Sequence, residues 1–191
     1  MKAMLRLIRR LRARDEGTQS IELVLMAPLL FWAVCALYVF TDAFRIRAVV
    51  TDAAHVVSDV LSRQTTPIGN ADIAALRAVA AQLTGQETDL RVTQIHCLKS
   101  CDDLQRRELG VVFSVGLGLA PLTIADLRIS NLRDQVPLVA AGDRIIMAQT
   151  RIYYTPILDY GIAASFIEAT QAVRIRFAPR LCWETCNDSL G

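Results

Sequence analysis

Histidine occurs only twice in this chain of 191 residues, at positions 55 and 96. Neither has a cysteine or acid at a metal-ligand spacing except Cys97, which directly follows His96, so no histidine-based metal motif is present. His55 reads as a helix-face residue and His96 as a strand residue. Gly-x-Ser-x-Gly is missing, which leaves Ser114, Ser130 and Ser165 outside any nucleophile context, and no triad can be named. The run Gly116-Leu117-Gly118-Leu119 lacks the third glycine and the Lys-Ser/Thr of a phosphate-cradling loop and reads as a mobile turn. Asp102 and Asp103 with Glu108 lack the alternating oxygen ligands of a calcium loop and read as a solvated acidic turn. From Asp42 onward sixteen acidic residues oppose fifteen basic ones, so the concentrated basic face that nucleic acid demands is absent. The expectation is a protein that is not an enzyme, holds no cofactor or metal, and binds no nucleic acid.

Formal charge is also absent from residues 23–40, an apolar run of eighteen residues. At ~1.5 Å per residue this run reaches ~27 Å, close to the thickness of a bilayer's hydrocarbon core. Before it stand Lys2, Arg6, Arg9, Arg10, Arg12 and Arg14, against Asp15 and Glu16. This bias keeps the N-terminal end cytoplasmic and sends everything after Thr41 across the membrane. A cleaved secretory signal fits poorly, because its apolar region is shorter and ends in a small-residue site. The best candidate site, Val34-Cys35-Ala36, would leave Leu37-Tyr38-Val39-Phe40 exposed. Trp32-Ala33-Val34-Cys35 fails as a lipoprotein signal because Trp stands where a small aliphatic residue belongs. Glu22 lies at the mouth of the run, where a carboxylate costs less than at mid-membrane.

Of five cysteines, Cys35 falls inside the apolar run and reads as a small apolar filler. The other four form two Cys-x3-Cys units, Cys97 with Cys101 and Cys182 with Cys186. In an exported, oxidising setting they read as two disulfides. Three pairings are possible and spacing does not choose among them. Loop closure favours bonds between the two units, since a longer loop constrains the unfolded chain more. A zinc site competes, but the usual two-residue gap is missing.

Hydrophobic periodicity supplies the rest. Pro28 removes one helical bond without ending a membrane helix. Val49, Ala53, Val56 and Val60 continue the apolar run as an amphipathic face, predicting one helix over 19–63. Residues 65–70 end it. Asn70 is placed as the N-cap of a second helix with Ile73, Leu76, Ala80 and Leu83 on its apolar face. After Gly85 the period falls to two. Strands are expected over 90–97, 109–115, 145–154 and 168–177, the last with Ala169, Gln171, Val173, Ile175 and Phe177 on one side. Trp183 is expected to plug against the sheet. The fold class is therefore α+β: a long N-terminal transmembrane-plus-amphipathic helix, a second short helix and a small antiparallel sheet.

Gly17-Thr18-Gln19-Ser20-Ile21-Glu22, placed between the basic stub and the apolar run, resembles the prepilin signal of type IV pilins. Residues 14–17 and 20–30, with the Ala27-Pro28-Leu29-Leu30 core, resemble the TadE-like minor pilins, or pseudopilins, of tight-adherence (Flp) systems. A second stretch, residues 142–150 followed by Tyr153-Tyr154-Thr155-Pro156, is similar to the downstream strand of that family. At Met147-Ala148-Gln149 the chain departs from the family's Val-Glu, so no acidic role is carried over there. The resemblance implies cleavage after Gly17 by a membrane-embedded prepilin peptidase, making Thr18 the mature N-terminus. It also implies that Glu22 pairs with the terminal amine of a neighbouring subunit. The implied organisation is a cytoplasmic leader at 1–17, an anchor and spine helix at 18–63 and an exported α+β domain at 64–191. The implied location is the inner membrane, crossed once, with the C-terminal domain in the periplasm or a pilus. Implied partners are other pilins or pseudopilins, the prepilin peptidase and an inner-membrane pilus assembly platform. The competing expectation is an uncleaved, signal-anchored periplasmic scaffold or sensor, and a third is a secreted hydrolase.

Overall fold

The structure is a computed structural model that describes residues 16–129, 132–158 and 160–186. The basic residues between Lys2 and Arg14, expected to belong to a leader, and Ser130 lie outside the described residues. Helix α1 (Glu16–Ser62) is followed by α2 (Asn70–Thr84), strands β1 (Asp89–Lys99) and β2 (Glu108–Leu117), and short helices α3 (Ile124–Ile129) and α4 (Leu132–Gln135). Strands β3 (Arg144–Tyr154) and β4 (Ser165–Arg174) complete the fold. The chain forms two compact units. One runs through Ala43 and includes Pro156–Ala163; the other comprises Phe44–Thr155 and the chain from Ala164 onward. The α+β class read from the sequence is the observed one.

Helix α1 passes through Pro28 without ending. At its C-terminus the amides of Arg63 and Gln64 bond to the carbonyls of Val60 and Leu61 at 3.3 and 3.2 Å, a tightened last turn that satisfies otherwise orphaned acceptors. The buried stripe is Ile46, Val50, Ala53, Ala54, Val57 and Leu61, one residue round from the expected face. Val56 and Val60 are exposed. The observed stripe steps by four and three up to Leu61, and its two polar members are self-satisfied. Ser58 and Ser62 donate to the carbonyls of His55 and Asp59 at 2.9 and 2.8 Å, so both hydroxyls can be buried.

Helix α2 begins at Asn70 rather than after it. Gly69 is the N-cap, and the Asp72 carboxylate accepts its amide at 2.8 Å. Ile73 and Ala80 are buried as expected, but Leu83 is exposed and Thr84 takes the inner position. The Thr84 and Thr88 hydroxyls bond at 2.7 Å, which makes a buried threonine tolerable there.

The four strands form one antiparallel sheet in the order β2-β1-β3-β4. Because successive side chains alternate, the sheet carries two apolar faces. Leu90, Val92, Ile146 and Ala148 pack with Ala53, Val57, Leu61, Ile73 and Ala80 of the helices. Ile95, Cys97, Leu109, Ile145 and Met147 pack with Leu122, Leu127, Val136 and Val139 from the α3–α4 region. This second cover has no counterpart among the predicted elements. Trp183 does plug the first face, its ring 5.5 Å from that of Phe113.

Strand β4 starts three residues before its expected position and ends at Arg174. There the chain leaves the sheet, and the Arg176 amide bonds to the Ser62 carbonyl at 2.9 Å; Phe177 is exposed. The Gly116–Leu119 run is not a free turn. Gly116 and Leu117 belong to β2, and Gly118 bridges to Leu90.

Both disulfides form within the Cys-x3-Cys units, Cys97–Cys101 and Cys182–Cys186, not between them. Positive φ at Ser100 and Glu184 folds each short segment back, bringing the Cα atoms to 5.8 and 5.0 Å. Cys97 and Cys101 belong to the core under α3 and α4, whereas Cys182 follows Leu181 in the core under α1 and α2. Loop-closure entropy acts on the unfolded chain; which sulfurs meet is decided by the folded backbone.

Candidate membrane anchor and processing site

The first half of α1 is an apolar rod with little cover. Only 6% of its most apolar stretch is buried. Leu25 and Phe31 are 70% and 71% exposed, and every residue from Ile21 to Val34 is exposed. In water such a surface far exceeds the few hundred Å² that a soluble monomer leaves bare. The helix is long and apolar enough to cross a membrane, and a helix satisfies its backbone bonds internally, as lipid requires, apart from the one donor that Pro28 lacks.

Partway along, one stripe acquires protein cover. The Trp32 ring lies 6.1 Å from that of Tyr160, in the β3–β4 connection. Cys35 and Ala36 are half-buried and Val39 is buried. The sequence offers only weak notice of this contact: Pro156 and Gly161 punctuate a connection, but nothing in their spacing says what it touches. Cys35 carries a free thiol, in keeping with a packing role.

Of the residues expected to form a processing site, Gly17 and Thr18 lie in the first turn of the helix. Glu22 is exposed at the start of the apolar stretch, one turn beyond Thr18 on a helical count.

Several of the other residues singled out in the sequence make contacts within the fold. No group of three or more His, Cys, Asp or Glu side chains among the described residues is placed to hold a metal. Asp103 Oδ1 accepts the amides of Gln105 and Arg106 at 2.8 and 3.3 Å, shaping the acidic turn. Ser114 Oγ bonds Thr93 at 2.8 Å and accepts the Leu122 amide at 2.7 Å. His55 is on the exposed side of α1 and His96 is in β1. Arg107, easily passed over in the sequence, is a buried clamp. Its guanidinium donates to the Pro137 carbonyl at 3.0 Å and the Val136 carbonyl at 2.8 Å, and also to that of Arg133. Burial and the neighbouring Arg133 lower its pKa from the ordinary arginine value. Comparison with family models, curated proteins and solved structures returns no match to this chain.

Proposed function

We propose that this chain is a TadE-like minor pilin, or pseudopilin, that takes part in assembling a tight-adherence pilus. In this reading it is made with a cytoplasmic leader, cut after Gly17 by a prepilin peptidase, and held in the inner membrane by residues 23–40. The remainder lies on the periplasmic side or in the pilus. One observation carries the reading: a single unbroken helix whose first half is bare and apolar, whose second half is built into a sheet core, and whose apolar part begins at an exposed Glu22. A helix so built is suited to pack sideways against other such helices once out of lipid. With Thr18 as the new terminus, Glu22 falls one turn from the end, where its carboxylate can meet the amine of a neighbouring subunit. Desolvation offsets much of that attraction, so the pair sets stagger more than it adds stability.

Intact mass of the membrane-extracted protein tests this. The wild type is expected to lack residues 1–17, and Gly17→Leu to retain them. Glu22→Ala is expected to be processed yet excluded from fibres. Native protein that begins at Met1 would overturn the proposal in favour of the uncleaved anchor.

A further inference from the structure

The two edges of the sheet differ. Strand β2 is irregular, with register shifts opposite Gln94/Ile95 and Cys97/Lys99. Strand β4 pairs with β3 over ten consecutive residues without a shift, contains no proline, and has no strand on its other side among the described residues. An edge of that length, without a register shift or a proline, is a ready template for another strand.

Its side chains say which strand. Asp89 takes two bonds from Arg151, at 3.0 Å from Nε and 2.7 Å from Nη2. Glu168, next in the same cross-strand row, is left at 3.8 Å from Arg151 Nη1 with its side chain 59% exposed. The edge of this row therefore ends in an exposed carboxylate that shares Arg151 with Asp89 and has Arg91 as a second cation nearby. Six residues along the same strand, and on the same face, stands Arg174, 61% exposed and paired with Asp143. An antiparallel copy of β4 centred on Gln171 sets Glu168 opposite Arg174 twice over. The charged row then runs Asp89, Arg151, Glu168 and Arg174 of the second copy, where Ile145 stands opposite Arg174 and Asp143, just before β3, is its ion-pair partner. On the other face Ala169 meets Val173, and the Gln171 amides meet each other, each able to donate and accept.

We propose that the free edge of β4 pairs with the same edge of a second copy of this chain, antiparallel and centred on Gln171, joining two four-stranded sheets into one. Two-fold symmetry keeps facing side chains on one face only in registers centred on a residue. Of these, a centre at 170 leaves Glu168 opposite Ala172, and a centre at 172 requires Arg176, which has already turned onto Ser62. The pairing goes beyond the pilin reading, needing neither leader cleavage nor a filament.

The test uses the full chain in detergent micelles, with Cys35→Ser removing the free thiol. Under mild oxidation or with a short bis-maleimide, Gln171→Cys is expected to give a covalent dimer. Glu168→Cys alone and Arg174→Cys alone are not, because each lies ~20 Å from its own symmetry mate along the strands. A mixture of the two is expected to cross-link. A Gln171→Cys protein that stays monomeric, or single variants that link as readily as the mixture, overturns the proposal. In a second arm without added cysteine, Glu168→Arg sets arginine against arginine at both ends and is expected to weaken the dimer about tenfold. Arg174→Glu does the same, and the double exchange restores association. A double exchange as weak as either single reversal also overturns it.

Discussion

Thr150 Oγ1 donates a 3.0 Å hydrogen bond to the main-chain carbonyl of Val50, and both residues are completely buried. The bond joins β3 to α1 across one hundred residues of chain. Because α1 is helical here, the Val50 carbonyl also accepts an intrahelical amide, so losing the hydroxyl orphans nothing. Thr150→Val, which keeps the shape, is expected to cost about 1 kcal/mol, the net worth of one such bond. Denaturant unfolding of the detergent-solubilised chain, followed by Trp183 fluorescence, would show a lower midpoint with an unchanged slope.

Gly118 makes a sharper demand on its neighbourhood. Its φ is +86°, and an added Cβ would stand 1.8 Å from Asp89 Oδ1, the carboxylate that grips Arg151. Gly142 has nearly the same φ, +85°, but open space where the Cβ would go. Gly142→Ala is expected to lose about 1 kcal/mol from backbone strain alone. Gly118→Ala adds displacement of the ion pair and is expected to lose about 3 kcal/mol. Equal midpoints for the two variants in the same denaturation experiment would refute the steric account.

The elements that could be read in advance were those with a strong local period. Residues 145–154 form an unbroken strand pattern, and β3 runs from Arg144 to Tyr154. Residues 23–40 announced a helix by length and lack of charge. What could not be read depended on distant partners. The burial of Val50 rather than Val49 is decided by a sheet a hundred residues away. The end of β4 at Arg174 is decided by the Ser62 carbonyl. The α3–α4 cover uses only six and four helical residues, too few for a periodic signal. For the candidate site, the position of Glu22 beside a bare apolar helix was legible because it is wholly local, whereas the Trp32–Tyr160 contact was not.

The disulfides give a clean digest. Trypsin cuts after Arg91, Lys99, Arg106 and Arg180. Non-reduced digestion is therefore expected to yield the 92–99 peptide joined to the 100–106 peptide, and a separate internally bridged peptide starting at Leu181. Any species joining the C-terminal peptide to either of the others would contradict the observed pairing. Each bridge closes so short a loop that reduction is expected to cost only about 2 kcal/mol per bond.

Acid should act through His96. An added Cβ on Gly110 would lie 2.6 Å from the His96 Cε1, so the imidazole is pressed onto β2, and its Nδ1 is buried without a partner. Burial first, and then the neighbouring Arg144, lower its pKa from the ordinary 6.5. With the folded value below the unfolded one, the unfolded chain binds the extra proton as the pH falls. The contribution of neutral His96 is thus complete above pH 6.5 and is lost as pH drops from there through the folded value. Between about pH 6.5 and 5, before most carboxylates titrate, the unfolding midpoint is expected to fall in the wild type and to stay level in His96→Gln. A wild-type midpoint that rises over that window would mean the imidazole is held charged in the fold, with Arg144 turned away from it.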